Sequence, residues 1–234
     1  MQIPFSVVII TKNEERNISD AINSALFADE VVLVDSGSSD LTCVIAKKLG
    51  AKVIHQKWLG FGSQKNYAVS AAKNDWVFVL DADERITTDL RIEILQILQK
   101  PEFKAYSVAR LNHFFGKKIK HCGLYPDYSI RLFNRKSGRF NEVNVHESFQ
   151  TKEPTSTLQS PMLHLAYENV REFRTKQKKY ASLSTKKPNL LRAIISPIYT
   201  FIKIYILRLG FLEGWRGFVI AFIYAEYSFL KYTK

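Results

Sequence analysis

The chain has 234 residues, of which 46% are hydrophobic and 24% charged, a composition typical of a globular protein and not of a disordered one. This length suits one large α/β domain, or such a domain with an appendage. Its two cysteines, Cys43 and Cys122, are too few for a disulfide framework and lack the paired spacing of a zinc site. The first residues contain no basic region and no small-residue cleavage site, so we expect no signal peptide and a cytoplasmic protein.

Strand and helix patterns alternate through the first hundred residues. Short apolar runs predict four buried strands, at FSVVII (5–10), VVLVD (31–35), AKVIH (51–55) and WVFVLD (76–81). Apolar residues at helical spacing predict helices between and after them, starting near Ile18, Leu41, Gly62 and Thr87 or Thr88. This alternation predicts βαβ units and a parallel sheet.

The pattern changes after Lys104. AYSVARL (105–111), IKHCG (119–123) and SIRLFNR (129–135) predict shorter strands that are partly antiparallel. A charged amphipathic helix is expected over 168–184, followed by two hydrophobic helical segments near 190–209 and 214–232.

The positive charge is concentrated at the end of the chain. The net charge is +12, and residues 151–234 hold 14 Lys and Arg against 5 Asp and Glu. These basic residues are interleaved with large apolar and aromatic ones, which favours an anionic membrane surface over nucleic acid. Charges and Pro197 interrupt the first segment and charges alone interrupt the second, so we expect both to lie in the membrane interface and not to span it. The alternative is a helical hairpin that packs on the domain or on a second subunit.

Three carboxylates follow the apolar run VFVL (77–80), namely Asp81, Asp83 and Glu84. In an open α/β sheet, ligands bind at the carboxyl ends of the strands. Carboxylates packed this closely repel one another, so we expect a cation there. Few hard oxygen ligands suit Mg²⁺ or Mn²⁺ held partly by the phosphates of a substrate. The alternative is an acidic cluster that only favours the N-terminus of the following helix.

Polar residues also end the first two predicted strands. Asp35 follows VVLV (31–34), and Thr11, Asn13 and Glu14 follow the first strand. Because the carboxyl ends of parallel strands meet at one edge, these residues and Asp81 are expected to share a cleft.

These motifs together resemble family 2 glycosyltransferases of the GT-A fold. The likeness rests on SVVIITKNEE (6–15), VVLVDSGSSDLT (31–42), GSQKNYA (62–68) and VLDADE (79–84), which occur in the family's order over the first ~100 residues. The resemblance implies a Rossmann-like mixed sheet flanked by helices and a nucleotide-sugar donor, with UDP-glucose as an example. It places the donor along the residues Thr11, Asn13, Glu14, Asp35, Lys65, Asp81 and Asp83. Asp83 and Asp81 are both candidate metal ligands; in this pattern Asp83 is the direct one, whereas Asp81 tends to touch the ribose or the sugar.

The second half resembles a narrower branch, the small bacterial lipopolysaccharide-core β-1,4-glucosyltransferases. The likeness is carried by 111–147 and 210–232. It implies a lipid-linked saccharide acceptor and an inverting transfer in which a base takes the acceptor's proton. We expect Glu147 to be that base, with Asp127 and Glu142 as rivals.

Three further residues are candidates for binding the metal, the acceptor or a phosphate. We expect His164 to be a further metal ligand, although histidines in apolar stretches are more often hydrogen-bonded core residues. His146 is expected to orient Glu147 or the acceptor. Arg131 is assigned to an acceptor or donor phosphate, with a structural ion pair as the alternative.

The expected organisation is a GT-A domain over 1–165 and a basic, apolar helical extension over 166–234. Within the domain, residues 1–100 bind the nucleotide sugar and 101–165 form the acceptor side. The expected location is the inner face of the cytoplasmic membrane. A homodimer formed through the C-terminal helices is also possible from the sequence. Two other functions remain, a nucleotidyltransferase with the same carboxylates and a catalytically inactive nucleotide-sugar-binding scaffold. The first normally has a glycine-rich phosphate loop after its first strand, which TKNEERN (11–17) lacks.

Overall fold

A computed structural model describes residues 2–142, 147–182, 184 and 186–233. The chain forms two compact units. The first consists of Met1–Arg110 and Asp127–His164, and the second of Leu111–Pro126 and Leu165–Lys234. The domain division expected at residue 165 stays a prediction, and the structure adds that 111–126 groups with the C-terminal helices.

The first unit is built on a mixed β-sheet. The strands of the chain are β1 (Phe5–Thr11), β2 (Glu30–Asp35), β3 (Lys52–His55), β4 (Trp76–Asp81), β5 (Glu84–Arg85), β6 (Ala105–Phe114), β7 (Lys117–Lys118), β8 (Asp127–Asn134), β9 (Gly138–Phe140), β10 (Phe149–Thr151), β11 (Thr155–Thr157) and β12 (Met162–Tyr167). The sheet order is β3-β2-β1-β4-β8-β6-β12-β5. Strands β3, β2, β1 and β4 are parallel, whereas β8 is antiparallel to β4 and to β6. This confirms the predicted change from parallel to partly antiparallel pairing.

Helices cover both faces of this sheet. They are α1 (Ile18–Ala25), α2 (Thr42–Lys48), α3 (Phe61–Ala71) and α4 (Thr88–Ile97). Alternate residues of β1 point to opposite faces, so Val7 and Ile9 join one buried cluster while Val8 and Ile10 join another. Burial on both faces explains why this strand reads as a continuous apolar run. Helix α4 begins at the expected cap, because the Thr87 side chain accepts a hydrogen bond from the Leu90 N–H.

The second unit contains three helices, α5 (Val170–Ser182), α6 (Leu190–Ile202) and α7 (Trp215–Leu230). Between the last two lie a π-helical turn at Lys203–Leu207 and a 3₁₀-helix at Gly210–Glu213. The continuous helical stretch Leu190–Leu207 is long and apolar enough to cross a membrane by length and composition. The stretch holds two charged residues over its 18 positions, and the expectation that it lies in the membrane interface stays a prediction.

The expected strand IKHCG (119–123) is not a strand. Strands β6 and β7 form a hairpin through Phe115 and Gly116, both with positive φ (50° and 79°), and regular pairing ends at Lys118. The N–H groups of Lys120 and His121 then donate to the Glu213 carboxylate, at 2.9 and 3.1 Å. A distant carboxylate thus satisfies donors that a strand would have paired with a neighbour.

Candidate active site

Three strands deliver polar residues to one edge of the sheet. The parallel register pairs Thr11 with Asp35 and Ile10 with Asp81, so the ends of β1, β2 and β4 lie side by side. This confirms the parallel pairing on which the expected cleft depends. The site described below lies within the first unit.

Asp35 is the charged centre of the turn that follows β2. Its carboxylate accepts the N–H groups of Gly37 (3.0 Å) and Ser38 (3.1 Å), and it contacts His55 Nδ1 at 3.2 Å. Burial alone raises the pKa of Asp35, but the hydrogen bonds from Ser38 and Gly37 outweigh it and lower the pKa below the usual value. Asp35 is 1% exposed, whereas the His55 side chain is 65% exposed above it. His55 has no sequence motif that predicts a role; it lies opposite Asp35 because strands β2 and β3 pair in this register.

The loop after β1 is braced against the same turn. Asn13 adopts a positive φ of 55°, its N–H donates to Ser38 Oγ at 2.8 Å, and its Oδ1 accepts the Ser39 N–H at 2.8 Å. The Glu14 carboxylate accepts from Asn17 at 2.9 Å, and burial raises the pKa of Glu14. These contacts fix the backbone of the loop at the carboxyl ends of β1 and β2.

Thr11 contributes a hydroxyl with unused hydrogen-bonding capacity. Within the described part of the chain, Thr11 Oγ1 is buried and has no hydrogen-bond partner. Buried polar atoms of this kind are uncommon, and a bound ligand is one way of satisfying them.

Asp81 is held by two buried cations. Lys65 Nζ lies 3.0 Å from Asp81 Oδ1, and Arg131 Nη2 lies 3.1 Å from Asp81 Oδ2. Burial raises the pKa of Asp81, but the charges of Lys65 and Arg131 outweigh it and hold the pKa far below the usual range. Asp81 therefore stays ionised, and each of its oxygens already contacts a cation.

Glu84 is the second carboxylate that contacts Arg131. It is fully buried, lies 2.6 Å from Arg131 Nη2, and accepts the N–H of Asp81 at 2.9 Å. Burial lowers the pKa of Arg131, but Glu84 and Asp81 outweigh it and raise that pKa, so the guanidinium stays charged. Arg131 thus sits in the structural ion pair that the sequence left open as an alternative. No separate role for Glu84 is predicted from the sequence. The three carboxylates within four positions do predict a nearby cation, and for Glu84 that cation is Arg131.

Lys65 also joins the donor side of the cleft to the expected base. Its Nζ lies 2.8 Å from Glu147 Oε1, and Glu147 keeps 16% of its side chain exposed. Helix α3 can bring Lys65 this close because Gly62, one turn earlier, packs on the chain beside β9. A Cβ on Gly62 would lie 1.8 Å from the backbone oxygen of Asn141.

Asp83 and His164 form a second pair of possible ligands. His164 Nε2 lies 3.3 Å from Asp83 Oδ2, with side chains 21% and 35% exposed. Burial lowers the pKa of His164, but the hydrogen bond and charge of Asp83 outweigh it and raise that pKa. The antiparallel pairing of β12 with β5 sets His164 opposite Glu84 and so brings it to the DAD turn (81–83). A carboxylate and an imidazole are a donor set that suits a divalent cation such as Mn²⁺, with further positions left for phosphate and water.

The remaining predicted residues make other contacts or lie outside the described residues, and Arg110, which pairs with Asp127, comes within 4.0 Å of Glu84. Asp127 pairs with Arg110. Glu142 is exposed. His146 lies outside the described residues, so its expected role stays a prediction. None of the rivals to Glu147 is joined to Lys65 in the described structure.

Comparison with known proteins finds one matching family model and several similar relatives. The family model described as Glycosyl transferase family 2 matches residues 6–151. An "Uncharacterized glycosyltransferase" of Rickettsia bellii is 33% identical over 98% of this chain and 85% of its own. The "Lipopolysaccharide core biosynthesis glycosyltransferase LpsC" of Rhizobium meliloti is 30% identical over 100% of this chain and 92% of its own.

A solved structure supports the architecture. Staphylococcus aureus TarS, residues 1–349 in complex with UDP-GlcNAc, superposes with a TM-score of 0.53 at 17% identity, covering 95% of this chain and 81% of TarS. Likeness at this level concerns the fold alone, and it confirms the fold expected from the sequence motifs.

Proposed function

This chain belongs to glycosyltransferase family 2, and from that premise we propose that it transfers a hexose from a uridine diphosphate sugar to a lipid-linked saccharide, with inversion at the anomeric carbon. The acceptor is proposed to belong to lipopolysaccharide or another bacterial surface glycan. One observation carries the proposal: Lys65 joins Asp81 to Glu147 in the cleft where Asp83 and His164 also meet.

The nucleoside is proposed to lie against the turn after β2. Asp35 holds that turn and contacts the exposed His55. The Thr11 hydroxyl, which has no hydrogen-bond partner among the described residues, lies beside Asp35 in the sheet register. An ionised carboxylate favours bases that present a ring N–H, which uracil, thymine and guanine have, whereas adenine and cytosine do not. Uridine is chosen among these because of the motifs shared with the family.

The transfer is proposed to be a single displacement. The acceptor hydroxyl oxygen forms its bond to the anomeric carbon while the bond to the diphosphate oxygen breaks, and Glu147 takes the hydroxyl proton. Lys65 orients Glu147 through its 2.8 Å contact. Asp83 and His164 would hold a divalent cation, which would supply charge that stabilises the leaving diphosphate. Asp81 is proposed to fix Lys65 and Arg131 more than to bind that cation, because both its oxygens already contact them.

Two observations support a lipid-linked acceptor. LpsC, the relative named for lipopolysaccharide core biosynthesis, aligns along the whole chain. The second unit exposes apolar and basic residues of the kind that meet a membrane surface. We therefore propose that the enzyme works on the cytoplasmic face of the inner membrane.

The test is a transfer assay with purified protein, Mn²⁺, a panel of UDP-hexoses and GDP-hexoses, and deacylated lipopolysaccharide-core acceptors. Expected results are UDP release that depends on the acceptor and a product heavier by one hexose. Donor binding is followed separately by thermal stabilisation, about 2.7 kcal/mol at a hundredfold excess over the dissociation constant. Release of pyrophosphate from a nucleoside triphosphate would instead indicate a nucleotidyltransferase. Donor binding without turnover on any acceptor would indicate a scaffold.

A further inference from the structure

The helical hairpin of α6 and α7 carries most of the exposed apolar surface of the described chain. Of the 26 exposed large hydrophobic side chains among the described residues, 16 lie between Leu190 and Phe229. Soluble monomers rarely leave a contiguous apolar patch of this extent in water. Something of low polarity is therefore expected to cover this face.

On α6 the apolar residues form one outward stripe. Leu191, Ile195, Ile198 and Ile202 follow one another at spacings of four, three and four, and each is between 41% and 68% exposed. Ala193, on the opposite side, is 1% exposed. The stripe therefore faces away from the unit and not into it.

The polar groups of α6 are used inside the hairpin. Ser196 Oγ lies 2.7 Å from Ser228 Oγ of α7, and Thr200 Oγ1 donates to the same atom at 3.2 Å. The outward face is thus left apolar, with the hydroxyls satisfied against the partner helix.

A second stripe on α7 continues the first. Trp215, Phe218 and Phe222 recur at helical spacing and are about half exposed, at 54%, 49% and 53%. Phe218 packs edge-to-face on Phe201 of α6, with centroids 5.6 Å apart, and stacks on Phe222 at 6.4 Å. The two stripes therefore form one apolar face across the hairpin.

The acidic groups of the hairpin are all neutralised. From Leu190 onward the sequence has two carboxylates, Glu213 and Glu226. Glu213 lies 3.0 Å from Lys117 Nζ, and Glu226 lies 2.7 Å from Arg174 Nε.

The basic groups of the hairpin, by contrast, lack acidic partners. Arg192, Lys203 and Lys231 have no carboxylate partner within the described ranges. Lys203 instead lies over the Tyr199 ring at 5.9 Å, and Lys231 over Tyr227 at 5.4 Å. The surplus charge beside the apolar face is positive, which complements an anionic surface.

The position of the cations distinguishes a helix lying in the interface from one that crosses the membrane. Arg192 and Lys203 are 11 residues apart, about three turns, so they lie on the same flank of the helical stretch Leu190–Leu207. A spanning helix would carry Lys203 about 16 Å inward from Arg192, near the middle of a hydrocarbon core about 30 Å thick. A helix lying flat keeps both at headgroup level, where basic side chains are favoured.

We infer that α6 and α7 dock side by side in the plane of an anionic phospholipid membrane, with the apolar face among the acyl chains and Arg192, Lys203 and Lys231 among the headgroups. The inference rests on the proposed function only in explaining why docking is useful, which is to reach a lipid-linked acceptor. Binding to the membrane does not depend on glycosyl transfer. A second copy of the chain is the competing occupant, and it would leave these cations without anionic partners.

The first experiment is flotation of the full-length protein with vesicles of phosphatidylcholine containing phosphatidylglycerol, and with phosphatidylcholine alone, at low and high salt. Binding is expected on the anionic vesicles and should weaken with salt, which screens the attraction. The double variant Arg192→Glu with Lys203→Glu is expected to lower vesicle affinity by roughly tenfold or more. Its control is the reversal of an exposed lysine elsewhere, Lys100→Glu.

A matched pair of substitutions tests the apolar face. Ile198→Glu (58% exposed) should abolish flotation, whereas Ile92→Glu (50% exposed, on α4) should leave it unchanged. Both side chains are exposed, so neither substitution opens a cavity. Equal flotation of the two variants would contradict the inferred face.

The second experiment decides orientation. In a Cys43→Ser background, Arg192→Cys and Lys203→Cys are labelled on anionic vesicles with a membrane-impermeant maleimide. Docking in the plane predicts equal labelling of both positions. Protection of position 203 alone would mean that α6 spans, and the inference would be wrong. The inference would also be wrong if the protein bound no vesicles and sedimented as a dimer that the Ile198→Glu substitution dissociates. UDP binding measured on the same samples separates these failures from a failure of the proposed function.

Discussion

Lys65 and Glu147 form a 2.8 Å ion pair although 82 positions separate them in the chain. Through its second contact, to Asp81 at 3.0 Å, Lys65 connects the carboxylate at the end of β4 with the carboxylate expected to act as base. Lys65 is 4% exposed, so these charges interact with little screening by solvent. This arrangement sets the expectations for the site variants that follow.

Glu147→Gln is expected to retain donor binding and to lower the transfer rate by about 10²–10⁴, because the amide oxygen can still accept from Lys65 but cannot take a proton. Calorimetry with UDP and single-turnover transfer measure the two effects separately. Glu142→Gln and Asp127→Asn serve as controls and should turn over normally. A Glu147→Gln variant with wild-type turnover would remove Glu147 from the role of base.

Asp83→Ala is expected to abolish the Mn²⁺-dependent part of UDP binding, because Asp83 and His164 are the half-buried donor pair that we propose as metal ligands. Asp81→Asn should lose less of that dependence, since the Asp81 oxygens already contact Lys65 and Arg131. Titration with UDP, with and without Mn²⁺, compares the two variants. Asp89→Ala, an exposed aspartate in the first turn of α4, is the control. Undiminished Mn²⁺ dependence in Asp83→Ala would disprove the metal assignment.

Glu84→Gln is expected to lower the free energy of unfolding by about 3–5 kcal/mol, because it leaves the buried Arg131 with an incompletely compensated charge. Glu84 is fully buried and Arg131 is 3% exposed, so little solvent is available to replace the lost partner. Urea unfolding measures the change, and the exposed Glu102→Gln is the control, expected within about 0.5 kcal/mol of wild type. A loss below 1 kcal/mol for Glu84→Gln would show that water or Asp81 compensates Arg131.

Glu213 is expected to make the second unit sensitive to acid. Burial raises the pKa of Glu213, but hydrogen bonds from His121, Lys117 and the Lys120 N–H outweigh it and lower the pKa from 4.5 to about 2. A carboxyl with a depressed folded pKa stabilises the fold above its unfolded pKa, and this stability is lost as the pH falls from about 4.5 to about 2. The loss should be about 3 kcal/mol for this nearly buried side chain.

Urea unfolding between pH 6 and pH 2 tests this expectation. Glu213→Gln should be less stable than wild type at pH 6 and should show a flatter pH dependence. Glu168→Gln, outside the cluster, should keep the slope of the wild type. Parallel curves for Glu213→Gln and wild type would show that Glu213 does not titrate with unfolding.

Local sequence patterns are enough to predict the frame of the site. The runs at 5–10, 31–35 and 76–81 are apolar because their strands are covered on both faces, and this is a local pattern that periodicity detects. Because the carboxyl ends of parallel strands meet at one edge, the sequence alone predicts that Thr11, Asp35 and Asp81 share a cleft. The order of four short motifs then indicated the family.

The pairing of the charges, by contrast, depends on the three-dimensional fold. Lys65 reaches Glu147, Arg131 reaches Glu84 and His164 reaches Asp83 through sheet register and helix packing, which no spacing along the chain encodes. For the same reason IKHCG (119–123) has the composition of a strand but is not one, since its donors bind Glu213 more than 90 positions later. Local patterns report which side chains are buried, whereas the partner of a buried charge depends on which distant segment the fold brings within about 3 Å.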